Sequence, residues 1–457
     1  MRPSGGTLAP MTPETRYART TDGTHVAFQV NGDGPIDILV MRGWHSNLDN
    51  EWADPVLAGI YLRLGAMGRV IRLDRRGTGL SDRFDPDVLP TLEDRIDDIR
   101  AVMAAAGSDR IALVGLGPGG AVCAAFAAMR PDRARGLVLW APSPTVAGPD
   151  PRWAPSDEDF AAFLERLRTR WATIEEAQQR ADEGMPSRAG DPAFVEWVRR
   201  DMQLSGTAGE AVAQARLNRE TVLRDLLPTI HVPTLVAWRS GSGSDPAARY
   251  IAESIPTSIV KELPGEDFAL ISGDWRAALR VIEDFIATLG DAEPDADRVL
   301  ATIMFTDLVG STERAATLGD HAWRGLLDRH HAVVRRALAS HRGREIDTAG
   351  DGFFAAFDGP ARAIRCAVAI LAGVRDLGLE LRIGLHAGEC ELAGSGLRGV
   401  AVHVGARIGS SATPGEILVS RTVRDLVAGS GIAFEDAGAR VLKGIPEPWE
   451  LYRVTSG

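Results

Sequence analysis

Two aspartates, Asp307 and Asp351, are the side chains in this sequence best suited to chemistry. Asp307 ends the apolar run ATIMFT and leads into LVGST, residues 308 to 312, while Asp351 lies inside TAGDGFFAAF. A fixed pair of carboxylates suits Mg²⁺ or Mn²⁺, hard cations that take oxygen ligands and complete their shell from substrate phosphates and water. The backbone amides of Leu308, Val309, Gly310, Ser311 and Thr312, at a helix start, are placed to cradle a triphosphate. Alone, Asp351 reads as a turn-forming aspartate and Asp307 as a helix N-terminal charge. As a pair they read as a metal site.

A scaffold that brings them together is legible around them. The strand ending on Asp307 runs into a long helix, and GREIDTAGDGFFAAF reads as a hairpin with Asp351 at its turn and apolar strands on either side. The helix GPARAIRCAVAILAGV and the strand LELRIGLHAGE follow. Strand, helix, hairpin, helix, strand is a ferredoxin-like α+β pattern, in which the two carboxylates meet at adjacent strand ends.

The stretches FTDLVGST, TAGDGFFAAF, GLHAGE and LKG resemble the class III nucleotidyl (adenylate/guanylate) cyclase domain, and the resemblance covers residues 298 to 457 almost entirely. It implies two ions per site, held by Asp307 and Asp351. The ribose 3′-oxygen attacks the α-phosphate, pyrophosphate leaves, and a 3′,5′-cyclic nucleotide remains. The family's transition-state arginine matches Arg407 in AVHVGARI, and its phosphate-binding lysine matches Lys443 in VLKGIP. The site lies between two chains, metals on one and arginine with lysine on the other, so the resemblance implies a head-to-tail homodimer. Three positions depart from the pattern. The adenine-reading lysine is Asp347, its partner is Gly396, and the asparagine four residues before the arginine is His403. His403 can still donate near ribose or phosphate, but Gly396 cannot read a base, which points to a weak activity. Asp347 accepts rather than donates, which suits guanine's N1–H and N2–H₂. ATP is the default substrate by family precedent, with GTP left open.

The first 290 residues alternate short apolar runs with helical patterns, the rhythm of a mostly parallel sheet covered on both faces. Candidate strands are IDILVM (36 to 41), RVIRLD (69 to 74), RIALVG (110 to 115), GLVLW (136 to 140) and TLVAW (234 to 238). Leu92, Ile96, Ile99 and Met103 share a helical face between a Thr91 cap and a Gly107 stop. A charged helical insert, about 150 to 227, reads as a lid. GRVIRLDRRGTGLSDR, RIALVGLGPGGAVCAAFAAM and ELPGEDFALISGD resemble the α/β-hydrolase family along nearly all of residues 12 to 289. The family's nucleophile turn is G-x-S-x-G, but here Gly117 occupies the serine position. The acid position matches Ser242, with Asp245 close by, and the histidine position is Phe268. Without a hydroxyl and an imidazole, covalent acyl transfer has no route. What remains is a pocket beyond the strand ends, where Trp44 with His45, Trp140 and Trp238 suggest an aromatic-lined site for a small, largely apolar ligand.

Residues 290 to 297, GDAEPDAD with its neighbours, read as a linker. At 457 residues the chain is long enough for two cores. A net charge of -11 argues against nucleic acid or an anionic membrane as partner. Three scattered cysteines, Cys123, Cys366 and Cys390, fit no metal pattern and suit a reducing compartment. No signal-peptide core opens the sequence, and a cytoplasmic protein is expected. The leading reading is therefore a signalling cyclase joined to a non-hydrolytic sensor. A catalytically silent ligand-responsive scaffold is the second reading, and a working esterase the third.

Overall fold

The computed structural model describes residues 12–143, 150, 152–290, 298–393, 396–445 and 447–456. Of the expected linker, all but Gly290 lies outside the described residues. Among the described residues the first sheet has eight strands: β1 (Arg16–Arg19), β2 (His25–Asn31), β3 (Ile36–Met41), β4 (Gly68–Leu73), β5 (Ile111–Leu116), β6 (Ala134–Trp140), β7 (Thr234–Arg239) and β8 (Ser258–Leu263). Their order is β1-β2-β4-β3-β5-β6-β7-β8, antiparallel across β1, β2 and β4 and parallel from β4 onward. The helices are α1 (Leu48–Glu51), α2 (Pro55–Gly65), α3 (Leu92–Ala106), α4 (Gly119–Met129), α5 (Asp157–Arg170), α6 (Ile174–Gly184), α7 (Pro192–Ser205), α8 (Ala208–Glu220), α9 (Asp245–Ser254) and α10 (Trp275–Thr288).

Burial on both faces explains why the central strands read as continuous apolar runs. In β3, Leu39 and Met41 join the core on one side while Ile38 and Val40 join the core on the other. Helix α3 begins on a capping box, in which Thr91 and Asp94 each accept from the other's backbone, and stops at Gly107 with φ 64°. Helices α5 to α8 form the insert between β6 and β7.

The second sheet comprises β9 (Arg298–Leu308), β10 (Arg344–Ala349), β11 (Gly352–Phe357), β12 (Leu381–Ala393), β13 (Gly396–Arg398), β14 (Ile417–Ser420), β15 (Ala433–Val441) and β16 (Pro448–Ser456). The order is β10-β11-β9-β12-β14-β16-β15, with β13 paired to β12. Its helices are α11 (Ser311–Leu318), α12 (Asp320–Ser340), α13 (Pro360–Arg375), α14 (Val400–Ser411) and α15 (Arg421–Leu426). The core order β10-β11-β9-β12 is ferredoxin-like, as expected. One expectation fails in detail: β10 is a largely exposed edge strand, so apolar side chains fill only the β11 arm of the hairpin. Helices α12 and α13 bury against one face through Val334, Leu338, Ile364 and Ile370. On the other face α14 approaches the sheet at glycine, since a Cβ on Gly384 would stand 2.1 Å from the Gly409 nitrogen.

The two halves meet along α3. Glu93 accepts backbone hydrogen bonds from Ala361 and Arg362 at the start of α13, Asp97 pairs with Arg362 and Arg342, and Arg100 pairs with Asp358 at 3.0 Å. Beside these charges one buried apolar cluster runs from Leu92, Ile96 and Leu226 to Leu300, Val423 and Leu426. No helix among the described residues is long and apolar enough to cross a membrane.

Candidate functional site

Asp307 and Asp351 lie at the same end of neighbouring strands. The β9–β11 ladder pairs Thr306 with Phe353, so Asp307 falls opposite Gly352, the residue that follows Asp351. Asp307 is 53% exposed, and its Oδ2 accepts from Nη2 of Arg382 at 2.7 Å, the residue directly opposite it on β12. Asp351 is held from behind by two histidines of α12. His330 Nε2 lies 3.1 Å from the Asp351 carbonyl, and His331 Nε2 lies 3.0 Å from that of Gly350. Burial pulls the His330 pKa down, keeping the ring neutral at pH 7 and able to donate through Nε2. Oδ2 of Asp351 is buried without a hydrogen-bond donor among the described residues. An acceptor in that state is what a cation would satisfy, so these residues fit a divalent metal. No three His, Cys, Asp or Glu side chains converge among the described residues, leaving the other coordination positions to phosphate and water.

The expected phosphate cradle narrows. Leu308 is a buried ladder residue opposite Leu381, and the Val309 amide donates to the Glu380 carbonyl at 2.9 Å. Gly310, Ser311 and Thr312 remain, with Gly310 at φ 67° and α11 starting without a side-chain cap. Strand pairing takes the Val309 amide and the core takes Leu308, a demand the run LVGST does not reveal.

His403 and Arg407 are one helical turn apart on the exposed side of α14, whose other side packs Val404 and Ile408 into the core. Lys443 is exposed in the turn after β15. Among the described residues none of these three side chains makes a hydrogen bond or ion pair. Asp347 is exposed on β10 beside a bulge, its Oδ1 accepting from the Thr348 amide at 2.8 Å. Gly396 opens β13. Asp307 shares its sheet face with Phe305 and α14, by strand alternation and by the approach of Gly405 to Phe305. Phe305 stacks on Phe354 at 4.6 Å, and both are only partly buried.

In the first sheet, Gly117, Ser242 and Phe268 do converge. All three line a cavity of about 300 Å³ at the carboxyl ends of the strands. Gly117 keeps the left-handed backbone of a nucleophile turn, φ 53°, and a Cβ there would stand 3.2 Å from the Phe268 ring. Asp245 instead begins α9. Pro118 follows Gly117, so the amide that would complete an oxyanion hole does not exist. Trp44, His45 and Trp140 line the cavity as expected, joined by Trp197, which sequence reasoning missed because it arrives from α7. Trp238 does not. It is fully buried with Val236 in the core on the other side of the sheet, because neighbours in a strand alternate faces.

The cavity wall also carries charge absent from the expectation of a largely apolar site. Arg42 pairs with Glu51 at 3.0 Å and Asp201 at 3.1 Å, and Arg180 pairs with Glu176 at 3.1 Å. His45 Nδ1 lies 3.0 Å from the fully buried Asp201. Burial would raise the Asp201 carboxyl, but Arg42, His45 and Asn50 overcome it and hold it at about 2.

Comparison with known proteins agrees with this division. Residues 295–456 match the family described as adenylate and guanylate cyclase catalytic domain, and residues 63–247 match the family described as serine aminopeptidase, S33. A protein named putative adenylate cyclase 3 from Rhizobium meliloti is 30% identical over 170 residues, 35% of this chain and 29% of that protein. The chain spans less than half the length of the curated relatives it matches. Esterases from Thermogutta terrifontis and Rhodococcus sp. ECU1013 each share the fold at 23% identity and a TM-score of 0.51, over 60% of this chain and 99% of theirs. The chain thus joins an N-terminal domain of α/β-hydrolase fold to a C-terminal domain that matches the adenylate and guanylate cyclase catalytic domain family.

Proposed function

We propose that the C-terminal domain converts a nucleoside triphosphate, ATP by default and GTP as the alternative, to its 3′,5′-cyclic nucleotide and pyrophosphate. The observation that carries this reading is the pair of carboxylates at adjacent strand ends, one with a buried oxygen that has no donor among the described residues. Asp307 and Asp351 would hold two Mg²⁺ or Mn²⁺ ions, which when bound polarise the phosphates and favour the 3′-alkoxide. The amides of Gly310, Ser311 and Thr312 receive phosphate oxygens at the start of α11. Arg407 and Lys443 from the second chain of a head-to-tail homodimer counter charge on the α-phosphate and departing pyrophosphate, with His403 donating beside them. The bond from ribose O3′ to the α-phosphorus forms as the bond to the bridging oxygen breaks, and the 3′-hydroxyl proton passes to solvent. Asp347 meets the base and favours guanine's donors.

The N-terminal domain, in this reading, binds a small molecule without hydrolysing anything. Gly117 supplies no hydroxyl, Phe268 no imidazole and Pro118 no amide. Occupancy of its pocket biases the cyclase dimer to the extent that the two dimer geometries differ in ligand affinity. The protein acts as a cytoplasmic signalling enzyme. Incubating the pure chain with ATP or GTP and each divalent ion tests this, cyclic product being expected and its loss in Asp307→Ala confirming the site.

A second reading, a catalytically silent ligand-responsive scaffold, draws support from the Arg382–Asp307 ion pair, which neutralises one metal carboxylate. Nucleotide binding without turnover, unchanged by Asp307→Ala, would favour it.

A further inference from the structure

We propose that the cavity of the N-terminal domain is a receptor site for a small uncharged molecule with a one- or two-ring apolar body and a hydroxyl group, which donates its hydrogen bond to Nε2 of His45. This rests on the reading that the domain binds rather than hydrolyses.

Asp201 anchors the polar side of the cavity wall. This fully buried carboxylate of α7 accepts from Arg42 Nη2 at 3.1 Å, Asn50 Nδ2 at 3.2 Å and His45 Nδ1 at 3.0 Å. An ionised carboxylate can only accept, so the His45 proton sits on Nδ1. Burial, with Arg180 and Arg42 nearby, outweighs Asp201 and lowers the His45 pKa, so the ring is neutral and Nε2 carries a lone pair. No described residue donates to that nitrogen, and His45 forms part of the cavity wall. The dyad therefore presents one oriented acceptor to whatever enters.

The remaining wall fixes the rest of the ligand. Trp44, Trp140, Trp197 and Phe268 supply flat apolar surface, and about 300 Å³ is at the small end for ligand cavities. The guanidiniums do not call for an anion. Arg42 already faces Glu51 and Asp201, and Arg180 faces Glu176 while lying over the rings of Trp44 and Trp171 at 5.5 and 5.3 Å. Nη2 of Arg180 has no acceptor among the described residues, but it is buried from solvent. Glu183, also in the wall, pairs with Arg166 at 3.1 Å. An acceptor is thus the open polar valence of the site, and a ligand without a donor would strip water from Nε2 and return nothing.

Equilibrium dialysis of the full chain against 1-naphthol, 1-methoxynaphthalene and 1-naphthoate separates the possibilities. The hydroxyl compound is expected to bind at least about tenfold more tightly than its methyl ether, which keeps the shape and loses the donor. His45→Phe should equalise the two, and His45→Gln, whose amide oxygen can accept, should retain part of the preference. Equal binding of naphthol and ether by the unsubstituted protein would overturn the proposal. So would a preference that survives in a folded His45→Phe, tightest binding by naphthoate, or no binding of any of the three. Should His45→Phe not fold, the unsubstituted protein's three affinities still decide. Failure of the underlying reading looks different: release of naphthol from 1-naphthyl acetate by the pure protein would show hydrolysis, whatever the dialysis gives.

Discussion

Asp351 and Asp307 face opposite local problems. Asp351 has a buried oxygen without a donor among the described residues, whereas Asp307 is exposed and already paired with Arg382. Removing either carboxylate should lower cyclic product by more than about 100-fold, beyond what loss of an outer partner costs. Kinetics of Asp307→Ala and Asp351→Ala check this. His330 is a positioning residue, holding the Asp351 carbonyl through Nε2. His330→Phe should raise the Mn²⁺ concentration for half-maximal rate by roughly 10-fold or more while leaving the nucleotide KM nearly unchanged, a split that general destabilisation would not produce. The aspartates were legible because their flanking motifs are specific. His330, His331 and Arg382 were not, since histidines on a long amphipathic helix and an arginine inside a strand look the same whether they serve a site or a fold.

The parallel strands β3, β5, β6 and β7 were legible because burial on both faces gives each a run of apolar residues. The same property misled at Trp238. With both faces apolar, the sequence carries no signal for which face a given residue takes, and Trp238 joined the cavity list although it belongs with Val236 on the far side. Strands β8 and β15 carry mostly exposed residues, so no apolar run announced them. The nucleophile turn yields a direct prediction. Gly117→Ser with Phe268→His should not restore hydrolysis of 4-nitrophenyl butyrate above trace, because Pro118 still lacks the oxyanion-hole amide and Ser242 is no carboxylate. In the cyclase domain, Gly384→Ala sets a Cβ 2.1 Å from the Gly409 nitrogen. It should destabilise that domain by about 3 kcal/mol or more in denaturant unfolding, since backbone cannot yield as a flexible side chain does.

Between the domains, acidic residues of α3 meet the start of α13, a junction hidden in the sequence because each helix alone reads as an ordinary solvated face. Burial raises the Glu93 carboxyl to about 7 against the pull of Arg362 and the Ala361 amide, with Asp358 and Asp94 adding repulsion. A carboxyl with a raised folded-state pKa binds its proton more tightly folded than unfolded. Its contribution is therefore present below the usual value of 4.5 and lost as pH rises through about 7. The melting temperature of Glu93→Gln relative to the unsubstituted protein should accordingly rise between pH 5 and pH 8, and a pH-independent difference would contradict this. This junction occupies the α13 face of the second sheet, while α14 lies on the other with His403 and Arg407 exposed. Mass spectrometry of the products formed from ATP and GTP with Mg²⁺ or Mn²⁺ decides whether the two carboxylates serve nucleotide cyclisation. A 3′,5′-cyclic nucleotide and pyrophosphate are expected from at least one substrate, absent in Asp307→Ala. Intact triphosphate under every condition, with protein that remains folded, would contradict it.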